Sequence, residues 1–154
     1  MPISSGIQAP VFSLPDENNI IRRLSDFRGR PVVLYFYPKD DTQGCTTEAC
    51  NFRDDYGVYV NADLVIIGVS PDSPQSHAKF KAKYSLPFPL LADDGHKVCN
   101  LYGVWGPKKF MGRGYEGVIR TTFLIDSSGR IAKVFENVRP AEHSAEVLEA
   151  AKKL

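Results

Sequence analysis

Two continuous apolar runs stand out along a chain that otherwise mixes polar and apolar residues. Residues 32–37 read Val-Val-Leu-Tyr-Phe-Tyr, and residues 64–69 read Leu-Val-Ile-Ile-Gly-Val. Runs of this length that are rich in β-branched and aromatic side chains are typical of strands covered on both faces. We therefore predict two buried strands, the first of which is central to a sheet.

Apolar positions at helical spacing predict three longer helices, over residues 45–60, 74–84 and 141–153. The second helix has Ser73 as its N-cap and Pro74 at its first position, which is a strong start signal. The side chains expected to face the core are Ala49, Phe52, Tyr56, Tyr59 and Val60 in the first helix, His77, Ala78, Phe80 and Tyr84 in the second, and Val147, Leu148, Ala151 and Leu154 in the third.

Turn residues separate shorter apolar pieces and predict two hairpins. Residues 11–14 and 20–21 flank a polar turn and are expected to pair at the edge of the domain. Residues 121–125 and 131–135 flank Asp-Ser-Ser-Gly, which is a strong hairpin signal.

The remaining segments are short or irregular. Residues 90–92 predict a short strand, residues 24–27 a single helical turn, and residues 96–102 a brief helix. Residues 103–118 are rich in glycine and basic side chains, including Lys108, Lys109 and Arg113, and we expect a solvated surface loop there.

This order of elements predicts an α/β protein with a central mixed sheet. Strand, helix and strand are followed by another helix, a strand, a hairpin and a last helix. Crossover connections give the parallel part of the sheet, the hairpin gives an antiparallel part, and helices cover both faces. The thioredoxin-like fold fits this order, and the length predicts one domain over residues 1–154.

Composition and charge exclude several classes of function. The chain is 43% hydrophobic, and its 19 basic and 18 acidic residues leave a net charge of +1, which gives no general attraction to nucleic acid or anionic membrane. No apolar segment is long enough to span a membrane. We see no secretory signal and expect a cytoplasmic protein, in which a disulfide between any of its 3 cysteines would be transient.

The main candidate for a reactive residue is Cys45, which lies at the junction between the first buried strand and the helix that follows it. A helix N-terminus stabilises negative charge and so favours the thiolate form of a cysteine. The thiolate, and not the thiol, is the nucleophile. We interpret Cys45 as a nucleophilic thiolate.

The pattern Pro38-x-x-x-Thr42-x-x-Cys45 supplies the other groups that reduction of a peroxide by this thiolate needs, and we interpret Cys45 as the residue that reduces peroxides. The Thr42 hydroxyl can donate to a peroxide oxygen and accept the peroxide proton. Pro38 offers no N–H, and its ring can shield the sulfur from water. Backbone N–H groups at the helix start can hold the peroxide oxygens. Arg120, at the start of an apolar strand, is the candidate for a fixed cation beside the thiolate.

These motifs resemble peroxiredoxins of the bacterioferritin comigratory protein (Q-type) subfamily. Besides Pro38, Thr42 and Cys45, the resemblance includes residues 45–54, 101–106 and 120–126 and extends over nearly the whole chain. One departure is Gln43, where the family usually has proline, and we expect a looser loop there.

The resemblance implies a thiol-dependent peroxidase that acts in antioxidant defence and reduces hydrogen peroxide and organic hydroperoxides. It implies that Cys45 becomes a sulfenic acid, that Thr42 and Arg120 complete the peroxide site, and that Glu48 orients Arg120. It also implies recycling by a thioredoxin-like or other dithiol reductant, and a monomer or weak dimer. We expect no cofactor. His96 and Cys99 alone do not make a metal site.

The cysteine that resolves the sulfenic acid is left open between two candidates. Cys50 is the usual position in the subfamily, and we favour it over Cys99. Residues five apart in a helix are separated by roughly 7.5 Å of rise and about 140° of rotation. Because bridged cysteines need Cα atoms within about 7 Å, a Cys45–Cys50 disulfide requires the start of the helix to unwind.

Two other functions stay open on sequence alone. A thioredoxin-type oxidoreductase would use Cys-x-x-Cys, whereas four residues separate Cys45 from Cys50, which disfavours that reading. A redox sensor, in which oxidation of Cys45 exposes a partner-binding surface, is the second alternative.

Overall fold

The structure, a computed structural model, describes residues 1–154. The strands are β1 (Ser13–Pro15), β2 (Ile21–Arg23), β3 (Val32–Phe36), β4 (Val65–Ser70), β5 (Leu90–Ala92), β6 (Trp105–Phe110), β7 (Arg113–Val118), β8 (Thr121–Ile125) and β9 (Ile131–Phe135). The helices are α1 (Gln43–Asp54), α2 (Tyr56–Asn61), α3 (Pro74–Tyr84), α4 (Lys97–Leu101) and α5 (His143–Ala151), and a 3₁₀ turn covers Leu24–Phe27. None of these helices has the length and apolar character needed to cross a membrane.

Five strands form the central sheet in the order β5-β4-β3-β8-β9. Strand β3 is parallel to β4 and antiparallel to β8, so the sheet is mixed, as predicted. On one face Tyr35 packs against Phe52 of α1, with ring centroids 4.9 Å apart. On the other face Phe36 packs against Tyr102, with ring centroids 5.3 Å apart. A sheet covered on both faces confirms the predicted thioredoxin-like α/β fold.

Most predicted elements are confirmed. The buried strands are β3 and β4, and the two expected hairpins are β1–β2 and β8–β9. Helix α3 begins as expected, because the Ser73 hydroxyl accepts a hydrogen bond of 3.1 Å from the Ser76 N–H. Two expected core positions are wrong, since Val60 is 51% exposed and Leu154 is 50% exposed.

The predicted single helix over residues 45–60 is wrong, because it is divided at Asp55. Helix α1 ends at Asp54, and α2 begins at Tyr56. The Asp55 carboxylate accepts a hydrogen bond of 2.7 Å from the Ser144 hydroxyl of α5. This tertiary contact fixes the residue at the break, and the periodicity of the apolar residues does not reveal it.

The predicted loop over residues 103–118 is also wrong, because β6 and β7 form an antiparallel ribbon there. The turn lies at Met111 and Gly112, which have φ values of 52° and 80°. Two successive positive φ values are typical of a tight type I′ hairpin turn, and glycine adopts them readily. Most of the ribbon is exposed on both sides, so the alternation that identifies a half-buried strand is missing.

The register of the sheet decides where the functional residues meet. Phe36, the last residue of β3, is paired with Thr121, the first residue of β8. The residue before β8 is therefore adjacent to the segment that follows β3. That segment leads into α1, so the carboxyl end of β3, the start of α1 and the start of β8 converge.

Candidate active site

Cys45 lies in the first turn of α1, which begins at Gln43 with Thr42 in the N-cap position. The first helical hydrogen bond joins the Thr46 N–H to the Thr42 carbonyl over 2.8 Å. The N–H groups that precede Thr46 have no acceptor within the helix and carry the positive end of its dipole. They provide an anion-binding environment beside the sulfur of Cys45, a residue that is 1% exposed.

Arg120 is the cation of this site. Its Nη2 donates to the Cys45 sulfur over 3.2 Å. Its Nη1 donates to Glu48 Oε1 over 2.7 Å. Arg120 is held at the start of β8, where its own carbonyl accepts from the Val138 N–H at 3.2 Å. The Arg120 guanidinium thus contacts both Cys45 and Glu48, so the structure brings these three predicted site residues together.

Glu48 is a nearly fully buried carboxyl group, 1% exposed. Burial raises its pKa to about 7, against the opposing effect of the Arg120 charge and hydrogen bond. Its second oxygen, Oε2, has no hydrogen-bond partner. The carboxyl therefore holds Arg120 through one oxygen and leaves a buried acceptor unpaired, which is costly in a low-dielectric interior.

Tyr35 is a residue of this environment that sequence reasoning missed. Its hydroxyl is buried and has no hydrogen-bond partner. Burial raises the pKa of Tyr35 well above its ordinary value, and the neighbouring charges of Glu48 and Cys45 act in the same direction. The phenol consequently stays protonated. Because Tyr35 lies in the apolar run of β3, the sequence identified it only as an aromatic residue of the core.

Lys108 also differs from expectation, because it is not part of a solvated loop. Its Nζ donates to the Val118 carbonyl over 2.8 Å, two residues before Arg120. Burial and repulsion from Arg120 lower the pKa of Lys108, while the charge of Cys45 acts against them. The ribbon therefore brings a second, half-buried cation towards the site, whereas Lys109 and Arg113 are exposed.

The other predicted site residues, Thr42 and Pro38, are less closely connected to Cys45. The exposed Thr42 donates its hydroxyl proton to the Lys39 carbonyl over 2.9 Å, so only the lone pairs of the oxygen remain free, as acceptors. Pro38 is half-buried, and no polar contact joins it to Cys45. Their roles toward peroxide stay predictions.

The two candidate resolving cysteines lie in different environments. Cys50 is half-buried within α1, five residues after Cys45. Cys99 is fully buried, and burial together with Asp93 raises its pKa well above the ordinary value. The Cys99 N–H donates to Asp93 Oδ2 over 2.7 Å, which secures it in α4. A thiol that resists ionisation is a poor partner for disulfide chemistry.

Comparisons with known proteins give a consistent result. The AhpC/TSA family matches residues 5–134 of the chain. Peroxiredoxin Bcp of Bacillus subtilis is 49% identical over 152 residues, which cover 99% of this chain and 97% of that protein. Peroxiredoxin Bcp of Escherichia coli is 44% identical over 147 residues, which cover 96% of this chain and 94% of that protein.

Solved structures are similar over almost the whole length. The bacterioferritin comigratory protein of Xanthomonas campestris, studied for alkyl peroxide reduction, has a TM-score of 0.90 at 32% identity and covers 97% of this chain and 98% of its own. Peroxiredoxin Q of the same organism has a TM-score of 0.87 at 35% identity, with 92% of this chain and 90% of that chain covered.

Proposed function

The chain belongs to the AhpC/TSA family and is a thiol-dependent peroxidase of the peroxiredoxin type, and on that premise we propose that Cys45 is its nucleophile. The observation that carries the proposal is the 3.2 Å contact between Arg120 Nη2 and the Cys45 sulfur at the start of α1. A fixed guanidinium and a helix N-terminus both favour the thiolate over the thiol.

In the first step the Cys45 thiolate attacks one oxygen of the peroxide. The S–O bond forms as the O–O bond breaks, the sulfur is oxidised to a sulfenic acid, and the peroxide is reduced. The second oxygen leaves as hydroxide or alkoxide and takes up a proton from solvent water to become water or an alcohol. Arg120 and the free N–H groups of α1 stabilise the charge that moves from sulfur to the leaving oxygen.

Thr42 and Pro38 complete the site in this proposal. The free lone pairs of the Thr42 oxygen accept a hydrogen bond from the O–H of a bound hydroperoxide, while the Thr42 hydroxyl keeps donating to the Lys39 carbonyl. The Pro38 ring limits access of water to the sulfur. Glu48 holds Arg120 in place. Hydrogen peroxide and organic hydroperoxides are the proposed substrates, in keeping with the alkyl peroxide reduction of the Xanthomonas protein.

In the second step the Cys50 thiol condenses with the sulfenic acid. The S–S bond forms, and the sulfenic oxygen leaves as water with the thiol proton. A thioredoxin-like dithiol then reduces the disulfide and is itself oxidised. The burial of Cys99 supports Cys50 as the partner. We further propose that the chain is one domain, works as a monomer or weak dimer, and resides in the cytoplasm.

The test measures consumption of hydrogen peroxide and of an alkyl hydroperoxide with a thioredoxin-type donor. We expect Cys45→Ser to abolish turnover of both. Cys99→Ser is the matched control, because it removes a buried thiol that lies outside the site, and it is expected to retain activity. Turnover that persists in Cys45→Ser would show that the nucleophile is another group.

A further inference from the structure

The two residues before Thr42 are hydrogen-bonded to side chains of α3. Asp41 has a φ of 58°, a left-handed conformation that is strained for a residue with a side chain. Its carboxylate accepts from Lys83 Nζ at 2.7 Å and from the Tyr84 hydroxyl at 2.8 Å. These exposed bonds help to hold the sharp bend that directs the chain into α1.

Asp40 is held by a buried hydrogen-bond network. Its Oδ1 accepts from the Tyr37 hydroxyl at 2.6 Å. Its Oδ2 accepts from the Ser76 hydroxyl at 2.8 Å and lies 2.7 Å from His77 Nδ1. The Asp40 N–H in turn donates to Asp72 Oδ2 over 2.8 Å. Every polar atom of the Asp40 side chain is therefore occupied.

His77 links this network to the central sheet. It is fully buried, and its Nε2 lies 2.9 Å from the Leu91 carbonyl of β5. A carbonyl only accepts, so Nε2 carries a proton. The other nitrogen, Nδ1, lies 2.7 Å from Asp40 Oδ2. The imidazole ring is thus fixed at both nitrogens, to β5 on one side and to Asp40 on the other.

The same residues have the spacing of a metal site, since ligand atoms of Asp40, Asp72 and His77 lie within 4.8 Å of one another. Both nitrogens of His77 and both oxygens of Asp40 already have hydrogen-bond partners. The cluster is accounted for as a satisfied polar network, which rigidifies the segment that it joins.

We propose that Asp40 and His77 form a positioning pair for the peroxide site. By tying residue 40 to β5 and α3, the pair fixes the segment that carries Thr42 and the first N–H groups of α1. It also provides a fixed boundary, so that unwinding of α1 during disulfide formation stops short of Asp40. The pair touches neither peroxide nor Cys45, and this role rests on the function proposed above.

The experiment compares two reactions of the same thiolate in Asp40→Ala and His77→Ala. Reaction with peroxide requires the positioned segment, and we expect its second-order rate constant to fall at least about tenfold, because small misplacements of substrate-positioning groups are costly. Alkylation of Cys45 by iodoacetamide needs the thiolate but no aligned peroxide. Because Cys45 is only 1% exposed, a loosened segment would not hinder the reagent, and we expect the alkylation rate not to fall. Stopped-flow fluorescence measures the rate of the peroxide reaction, and mass spectrometry measures the rate of alkylation.

Two further variants control for unfolding and for loss of charge. Asp40→Asn keeps the acceptor for Tyr37 and offers a donor to His77 Nδ1, so it is expected to restore most of the peroxide rate. Ser76→Ala removes one hydrogen-bond donor to Asp40 and little packing, so we expect a smaller fall in the peroxide rate. It replaces His77→Ala in the comparison if that protein does not fold. Asp94→Ala, at an exposed position, should leave both rates unchanged.

The outcomes separate this inference from the proposed function. A fall in the peroxide rate alone supports the positioning pair. Unchanged peroxide rates in Asp40→Ala and Ser76→Ala would overturn it, as would equal losses of peroxide reaction and alkylation. Failure of the proposed function would show itself differently, as peroxide turnover that survives in Cys45→Ser.

Discussion

Arg120 Nη2 donates to the sulfur of Cys45 over 3.2 Å, and the two residues belong to different parts of the fold. Cys45 moves with α1, whereas Arg120 is fixed to the central sheet at the start of β8. Unwinding of α1 would therefore separate the sulfur from its cation. The 3.2 Å contact between the two side chains exists only while the start of α1 is folded.

Arg120→Met should remove most of the peroxidase activity. Loss of one preorganised donor to developing charge costs about 10² to 10³ in rate, and this change also leaves Glu48 without its buried partner. Stopped-flow measurement of the reaction with hydrogen peroxide gives the rate constant. Arg113→Met is the matched control, because Arg113 is an exposed arginine of β7. Equal effects of the two changes would contradict the assigned role of Arg120.

Gly44→Ala should lower activity without lowering stability. A Cβ at Gly44 would lie 3.1 Å from Arg120 Nη2 and 3.6 Å from Pro140 Cγ, so the guanidinium must shift. Alanine gains up to about 1 kcal/mol over glycine in a helix, while displacement of Arg120 is expected to cost about tenfold in the peroxide rate. Thermal unfolding and peroxidase assays measure the two effects.

The control for this change is Gly57→Ala in α2, where an added Cβ meets nothing within 4 Å. It offers the same gain in helix propensity far from Arg120. We expect higher stability and unaltered activity. A Gly44→Ala protein with full activity would mean that the position of the guanidinium is not critical.

The sheet and most elements were predictable from the sequence, because long apolar runs and turn residues specify them locally. The ribbon of β6 and β7 was not, since its exposed strands lack an apolar face and its turn uses Met111 with Gly112. The contact between Arg120 and Cys45 depends on the pairing of Phe36 with Thr121. Register between strands far apart in the chain is a tertiary property. Sequence reasoning therefore named Arg120 as a candidate partner of Cys45, but the pattern alone could not place the two side chains together.

The same limit applies to the Asp40–His77 pair. The sequence placed His77 on the inner side of a helix and read it as a core residue. Its partner lies 37 positions earlier in the chain, and only the packing of α3 against the segment after β3 brings the two together. No spacing rule connects them.

Glu48→Gln should flatten the pH dependence of stability. In the unfolded chain the carboxyl titrates near 4.5, and burial raises its pKa to about 7 in the folded protein. Between these values the folded state binds the proton more tightly, so the contribution of Glu48 to the free energy of unfolding falls as pH rises and then levels off above about 7. The full decrease is on the order of 3 kcal/mol.

Urea unfolding at a series of pH values between about 5 and about 8 measures this slope. The neutral amide of Glu48→Gln has no such titration, and its stability curve should be flatter over that range. Glu136→Gln, at an exposed position, should keep the slope of the unaltered protein. If the stability of Glu48→Gln depends on pH as steeply as that of the unaltered protein, the titrating group is another residue.

Cys50→Ser should stop the cycle at the sulfenic acid, whereas Cys99→Ser should complete it. Mass spectrometry of the peroxide-treated protein without reductant distinguishes the products. A disulfide lowers the mass by two hydrogens, and a sulfenic acid raises it by one oxygen. A Cys45–Cys99 disulfide would instead require the buried Cys99 to leave α4, where its N–H is bonded to Asp93.

A disulfide between Cys45 and Cys50 also has a consequence for backbone dynamics. Both cysteines lie in α1, and a regular helix holds them too far apart for the bond. Hydrogen exchange should therefore accelerate at the amides of the first turns of α1 in the oxidised protein, since their hydrogen bonds are broken. The amides of α3 should keep their protection, because Asp40 and His77 tie that helix to the adjoining segment. Unchanged exchange in α1 of a protein shown to be oxidised would mean that resolution proceeds without unwinding, and Cys50 could not then be the partner.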